Sequence, residues 1–270
     1  MKMPNLGSRK NRILLKELVK TDFKLRYQGS VLGYLWAVLR PMMLFAILYI
    51  VFAKILKMGG DIPHYPVYLL AGTVLWSFFS ECTSQGIQAI VARGDLLRKI
   101  SFPKWILVVS ATVTALINFL INLGVVIIFA IVNGVTPNLG WLLIPFVILE
   151  LYILALGISF FLGAINVKYR DISSIWEVFM QALFYAVPVI YPITMVASAS
   201  PFAAKVFLLN PIAQVIQDVR YFLITDQTIT TWNYLPERLY YLIPLSIVLL
   251  VILLGGIYFR KRSKYFAEEA

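Results

Sequence analysis

The residues best placed to do chemistry lie where an apolar helix carries them only at a cost. Within the apolar run Val67–Val91, Ser77, Glu81, Ser84, Gln85 and Gln88 recur at i, i+4, i+7, i+8 and i+11. On a helix that spacing makes one continuous polar face. An ionisable group at mid-bilayer costs roughly 2.5–3.5 kcal/mol on insertion scales, so the face must look into a bundle interior or a wet cavity. Helix–helix hydrogen bonding and cavity lining fit the spacing equally well. Glu150, nearer the outer end of its run, reads as a snorkelling or protein-paired carboxylate. Aromatic rings also fall in stripes: Phe45, Tyr49 and Phe52 share one face, and Trp176, Phe179, Tyr185 and Tyr191 punctuate a later run. Such rings can pack on the C–H faces of sugars, although their ordinary use is helix packing and interfacial belts.

Other chemistries are excluded by what the chain lacks. One cysteine (Cys82) and one histidine (His64) leave no disulfide within the chain and no Cys- or His-based metal cluster. There is no H-x-x-x-D, and no carboxylate dyad at close helical spacing. A phosphate-binding G-x-x-x-x-G-K-[ST] loop is also missing, since the chain contains no Gly-Lys dipeptide. If ATP drives this protein, another polypeptide hydrolyses it.

The elements that position these side chains are set by composition. Of 270 residues, 60% are hydrophobic and 14% charged, against about 45–50% and 25% in soluble domains. Apolar runs long enough for a hydrocarbon layer of ~30 Å occur at Tyr34–Phe52, Val67–Val91, Trp105–Val132, Trp141–Val167, Ile175–Tyr191 and Leu239–Phe259. The expectation is an all-α integral membrane protein of six transmembrane helices. The first run follows roughly thirty basic and polar residues, which reads as a retained span rather than a cleavable signal. With both termini cytoplasmic, 19 of the 24 Lys and Arg residues fall inside. That bias is the positive-inside rule, and it accounts for the net charge of +11 without nucleic acid.

Four segments outside the runs carry information. Leu15, Leu18, Val19, Phe23 and Tyr27 recur at helical spacing opposite Lys16, Lys20 and Lys24, which predicts an amphipathic helix in the cytoplasmic interface. RGDLLRKISFPK (Arg93–Lys104) and VKYRDISS (Val167–Ser174) are short, charged cytoplasmic connections. Pro192–Pro236 is the one long outer connection. In it Asn210-Pro211 reads as an N-cap with proline at N1, followed by Ile212, Val215, Ile216 and Val219 on one face. That predicts a short helix on or dipping into the outer leaflet. Pro188, Pro192, Pro201 and Pro211 predict broken or re-entrant helices around it. No inverted repeat relates the halves.

Three separated motifs resemble the polysaccharide-exporting ABC-2 permeases. Lys20–Phe52 (KTDFKLRYQGSVLGYLWAVLRPMMLFAILYIVF) is similar to that family's opening signature through Arg26, Tyr27, Ser30, Leu32, Gly33, Leu35, Trp36 and Pro41. NVKYRDI (Asn166–Ile172) resembles its N-x-x-x-R-D-[IL] element, and Asn210-Pro211 is similarly placed. The opening KNRILLKE (Lys10–Glu17) and the run Pro63–Phe79 look closest to permeases for rhamnose-containing wall polysaccharides, with O-antigen and teichoic-acid permeases as neighbouring branches.

The resemblance implies one ABC-2 transmembrane domain over residues 1–270, with an interface helix in 1–30, a six-span bundle in 34–259 and a cytoplasmic tail in 260–270. It implies a homodimeric pore in a bacterial cell membrane and two copies of a separate ATPase, which would bind ATP and Mg; this chain would hold no cofactor. The cargo would be a polyprenyl-diphosphate-linked polysaccharide. Under this resemblance Arg93, Asp95, Arg98, Lys99, Arg170 and Asp171 would couple to the ATPase. Phe45, Tyr49, Phe52, Glu81, Gln85, Phe179 and Tyr185 would line the channel, and Lys24, Arg26 and Arg40 would meet the diphosphate at the entrance. The alternatives are a permease of the same architecture for a small hydrophobic molecule, an intramembrane enzyme using Glu81 as acid or base, and an ion-coupled secondary transporter.

Overall fold

The computed structural model of the chain describes residues 9–29, 32–57, 62–235 and 238–269. Residues 1–8 of the expected interface segment, Ser30 of the first motif and Pro236 of the outer connection lie outside the described residues. Among the described residues every regular element is a helix. The first, α1 (Arg9–Tyr27), has the expected two faces: Leu15, Leu18, Val19 and Phe23 are half-buried while Lys16, Lys20 and Lys24 are exposed. It packs against α5 (Trp105–Val132).

Between them come α2 (Trp36–Leu48), which continues as a wider turn over Tyr49–Ile55, then α3 (Tyr65–Gln88) and the stub α4 (Gly94–Lys99). After α5 follow α6 (Ile144–Asn166) and α7 (Ile172–Ala186). The outer connection holds α8 (Ile193–Ala199), α9 (Pro201–Leu208), α10 (Pro211–Leu223) and α11 (Thr231–Tyr234). The chain closes with α12 (Leu242–Arg262) and the short α13 (Phe266–Glu269).

Among the described residues, four helical stretches are both long and apolar enough to cross a membrane: Trp36–Ile55, Trp105–Val132, Leu139–Asn166 and Leu239–Arg262. The other two expected spans depart from that pattern for different reasons. At 24 residues, α3 is long enough, but its row of Ser, Glu and Gln dilutes its apolarity. At 15 residues α7 extends only about 22 Å, short of ~30 Å. It stops because Pro188 disfavours helical geometry at the residue before it: Val187 has φ −105° and ψ 142°.

The core is α3 and α6, with α5 and α12 against their outer faces. Small residues set these contacts. Gly157 on α6 meets Gly255 on α12 so closely that a Cβ on Gly255 would run into the Gly157 carbonyl oxygen. Gly86 on α3 leaves the same kind of space for Ser159 on α6. Lipid tails are as apolar as leucine side chains, so close backbone approach is what drives such pairs together. A second apolar cluster, at the end of the bundle where α4 lies, joins α1 (Leu18), α4 (Leu97), α6 (Ala164), α12 (Phe259) and α13 (Phe266).

The outer connection departs from the expected leaflet helix. Asn210 caps α10, accepting from the Ile212 N–H at 2.9 Å. However, α10 is buried on its polar side as well as its apolar one, including Gln214, Gln217, Asp218 and Arg220. The reason is a single guanidinium. Arg220 is fully buried and donates to the backbone oxygens of Tyr68 (3.1 Å), Pro188 (2.7 Å) and Val189 (2.5 Å), and to Gln217 Oε1 (2.9 Å). It also lies 3.6 Å from the Tyr68 ring centroid. Ending α7 at Pro188 frees backbone carbonyls, and carbonyls away from water need a donor. Arg220 supplies it, so the helix is drawn inward. On the opposite side of α10, the Gln214 amide donates to Asp218 (2.6 Å), and the Glu150 carboxyl of α6 is half-buried, its Oε1 buried without a hydrogen-bond partner among the described residues.

Two adjacent glycines test the packing. Gly255→Ala forces α12 off α6 and destabilises the detergent-solubilised protein by about 1–3 kcal/mol, the cost of overpacking. Gly256→Ala, with open space at its Cβ, is neutral or stabilising by up to about 1 kcal/mol through helix propensity. Thermal unfolding of both variants measures the contrast.

Candidate functional groove

The polar face of α3 looks into a groove of about 1210 Å³ bounded by α2, α5 and α7, with Arg26 of α1 reaching in. Its floor is Ser77, Ser80, Glu81, Ser84 and Gln85. Trp36, Arg40, Pro41 and Leu44 come from α2, Asn118 and Asn122 from α5, and Glu177, Gln181 and Tyr185 from α7. Gln88, the last residue of the expected polar row, does not line it.

Glu81 organises the floor. Its Oε1 accepts from Gln85 Nε2 at 3.0 Å and Asn118 Nδ2 at 2.9 Å, and it is ion-paired with the Arg26 guanidinium. Both side chains of the pair are about a third exposed, 30% and 27%. The two readings of the polar face are therefore both realised: the same carboxylate joins α1, α3 and α5, and lines a cavity. The groove walls are fixed by similar bonds. Asn122 Nδ2 donates to the Ala37 carbonyl of α2 at 3.0 Å, and Trp176 Nε1 donates to Thr83 Oγ1 at 3.0 Å, tying α7 to α3.

Of the expected channel and entrance residues, Arg26, Arg40, Glu81, Gln85 and Tyr185 meet in this one groove. The α2 aromatics take another position. Phe45 stacks on Tyr49 (5.8 Å between centroids) and packs edge-on against Phe129 of α5 (5.6 Å), and Phe52 lies with them against the core. Phe179 is exposed on the outward face of α7, beside Trp176. Lys24 is exposed two residues from Arg26, and i, i+2 neighbours do not share a helix face. Asn118, Asn122, Glu177 and Gln181 are groove residues that the sequence reading missed. A signal existed for the last two, because Glu177, Gln181 and Tyr185 recur at i, i+4 and i+8.

At the end of the bundle where α4 lies, Asp95, Arg98 and Lys99 on α4, and Arg170 and Asp171 before α7, are exposed. Arg93 turns inward instead. It is ion-paired with Asp22 of α1 and donates to Ser110 Oγ at 3.2 Å. Burial lowers its pKa from the ordinary value, and the Asp22 carboxylate compensates the desolvated charge. Asn166, first residue of the NVKYRDI motif, is buried and clamps this end. Its Nδ2 donates to the Ile87 carbonyl (3.3 Å) and its Oδ1 accepts from the Ser173 N–H (3.2 Å), joining α3, α6 and α7.

The family described as ABC-2 type transporter matches residues 13–224. The chain is 32% identical to the O-antigen export system permease protein RfbA of Myxococcus xanthus, over 96% of this chain and 95% of that one. It is 28% identical to a Klebsiella pneumoniae protein of the same name, over 75% and 77%. The polysialic acid transport protein KpsM of Escherichia coli is 23% identical over 80% and 83%.

The Glu81 node is testable by itself. Glu81→Gln, Asn118→Leu and the double substitution form a cycle in which unfolding free energies give a coupling of about 1.5–3 kcal/mol, the scale of a hydrogen bond to a charged group. A coupling near zero would show that Asn118 does not hold the carboxylate.

Proposed function

Because the chain belongs to the ABC-2 type transporter family, we propose that it is the membrane half of an ATP-driven exporter for a lipid-linked cell-surface polysaccharide. The observation that carries this reading is the groove. Two guanidiniums, a row of hydroxyls and amides, and flanking aromatic rings line a cleft of about 1210 Å³. Hydroxyls and amides exchange hydrogen bonds readily with sugar hydroxyls, and rings pack on sugar faces, so a polymer can slide without being trapped. The arginines suit the diphosphate that joins glycan to lipid. Among the cargoes of such systems, a rhamnose-containing wall polysaccharide, an O-antigen or a teichoic acid fits this chemistry.

In this reading six crossings place both ends of the chain in the cytoplasm, and two copies form the pore. Two copies of a separate ATPase bind below, hold ATP and Mg, and push on the exposed residues of α4 and of the Arg170–Asp171 corner. A short charged stub seated on a packed cluster can pass such a push into the bundle. Leu97 anchors α4 in the core while Asp95, Arg98 and Lys99 face outward. The polar lining distinguishes this from a path for a small hydrophobic molecule. Glu81 also differs from a catalytic acid, since its Oε1 is already an acceptor for Arg26, Gln85 and Asn118.

The test is co-expression with ATPases encoded in the same genome. The expected result is a stable complex of two chains with two ATPases, whose ATP hydrolysis falls by roughly tenfold, about 1.4 kcal/mol in barrier, on Arg98→Glu or Arg170→Glu. If the purified chain carries glycan across liposomes unaided, or no ATPase associates with it, the reading fails.

A further inference from the structure

Two of the three ion pairs among the described residues come from one face of one helix. Asp22 and Arg26 are four residues apart in α1, so they stand about 6 Å apart along its axis on the same side. Asp22 holds Arg93, the N-cap residue from which α4 starts. Arg26 holds Glu81 on the groove floor. Leu18, one turn before Asp22, packs in the same apolar cluster as Leu96 and Leu97 of α4. Helix α1 thus grips the cytoplasmic stub with one side chain and the groove with the next.

The groove end of this arrangement is chemically unequal. When Arg26 leaves, Glu81 keeps Gln85 and Asn118 on the same oxygen, so the carboxylate stays in place. The mobile partner is the arginine. While paired, Glu81 acts as the groove's own anion, and any ligand that needs Arg26 must displace it. A carboxylate ligand has no advantage over Glu81. A phosphate or diphosphate does, because it brings more charge and more acceptor oxygens to a guanidinium, and Arg40 lines the same groove.

We infer that Glu81 is a built-in competitor for the phosphate-bearing end of the cargo, and that α1, through Asp22 and Arg93, links release of Arg26 to movement of the stub α4. Asp22 is then a positioning residue, acting on the groove only through Arg26. The inference rests on the export reading for the identity of the cargo, whereas the linkage itself belongs to this chain. Linkage is reciprocal, so an anion that takes Arg26 must shift the stub, and a push on the stub must change the affinity for the anion.

The experiment uses the full chain without an ATPase, in neutral maltoside micelles, with inorganic pyrophosphate as probe. An environment-sensitive fluorophore is attached through Arg98→Cys on α4, in a Cys82→Ala background. Pyrophosphate is expected to shift its emission. Glu81→Gln should bind pyrophosphate about tenfold more tightly, and Arg26→Gln should abolish saturable binding. Asp22→Asn should bind within about twofold of the parent yet lose the emission shift. Pairing Asp22→Lys with Arg93→Glu should restore the shift, which a merely structural defect would not allow. Repeating the titration with phosphatidylglycerol separates the sources: a shift with that lipid assigns the anion to an ordinary headgroup, and a shift with pyrophosphate alone to a free diphosphate group, and either supports the linkage. The inference is overturned if Glu81→Gln binds no more tightly, or if Asp22→Asn keeps the full shift. A clear shift in a chain that no ATPase joins would remove the export reading and leave the linkage standing.

Discussion

A carboxylate inside an apolar bundle has to be supplied with donors, and the position of Glu81 imposes that requirement on three helices at once. Gln85 comes one turn along α3, Asn118 from α5 and Arg26 from α1. Because all three converge on one oxygen, α1 is held across the α4 end of the groove. The same requirement keeps the groove open. A floor of hydroxyls, amides and an ion pair cannot be closed by apolar side chains without leaving those groups unpaired, which costs more than the packing returns.

The outer half answers the complementary demand, that of the backbone. Pro188 ends α7 early and leaves carbonyls without helical partners, and the fully buried Arg220 fills them from α10. Gly72 makes this possible, since a Cβ there would meet the guanidinium. The break in α7 and the burial of α10 are therefore one feature. It gives the groove a firm end beside α10, in contrast to its other end, where side-chain ion pairs hold α1 in place.

Much of this was legible in the residue pattern. The helical character, the two-faced α1, the cap at Asn210 and the polar row on α3 each follow from spacing alone, because amphipathic periodicity and caps are local properties. The aromatic row on α2 was legible as a row but not as to its orientation. Periodicity says that Phe45, Tyr49 and Phe52 share a face, while the presence of Phe129 on α5 decides that this face is core. Arg93 is the clearest case at the α4 end. It belongs to a run of exposed charges by sequence, yet Asp22, more than seventy residues away, turns it inward.

What the sequence determined by itself is a membrane-embedded helical chain that carries no phosphate-binding loop and has a polar stripe where lipid would not tolerate one. These follow from composition and short-range spacing, which act within a few turns of helix. Only the tertiary structure decided that the stripe meets Arg26, Arg40, Asn118 and Tyr185, that α10 is drawn inward, and that two ion pairs of α1 join the stub to the groove. Those outcomes depend on which helices lie side by side. That is set by close contacts such as Gly157 on Gly255 and Gly86 on Ser159, and a glycine in a sequence does not announce which distant backbone it will let approach.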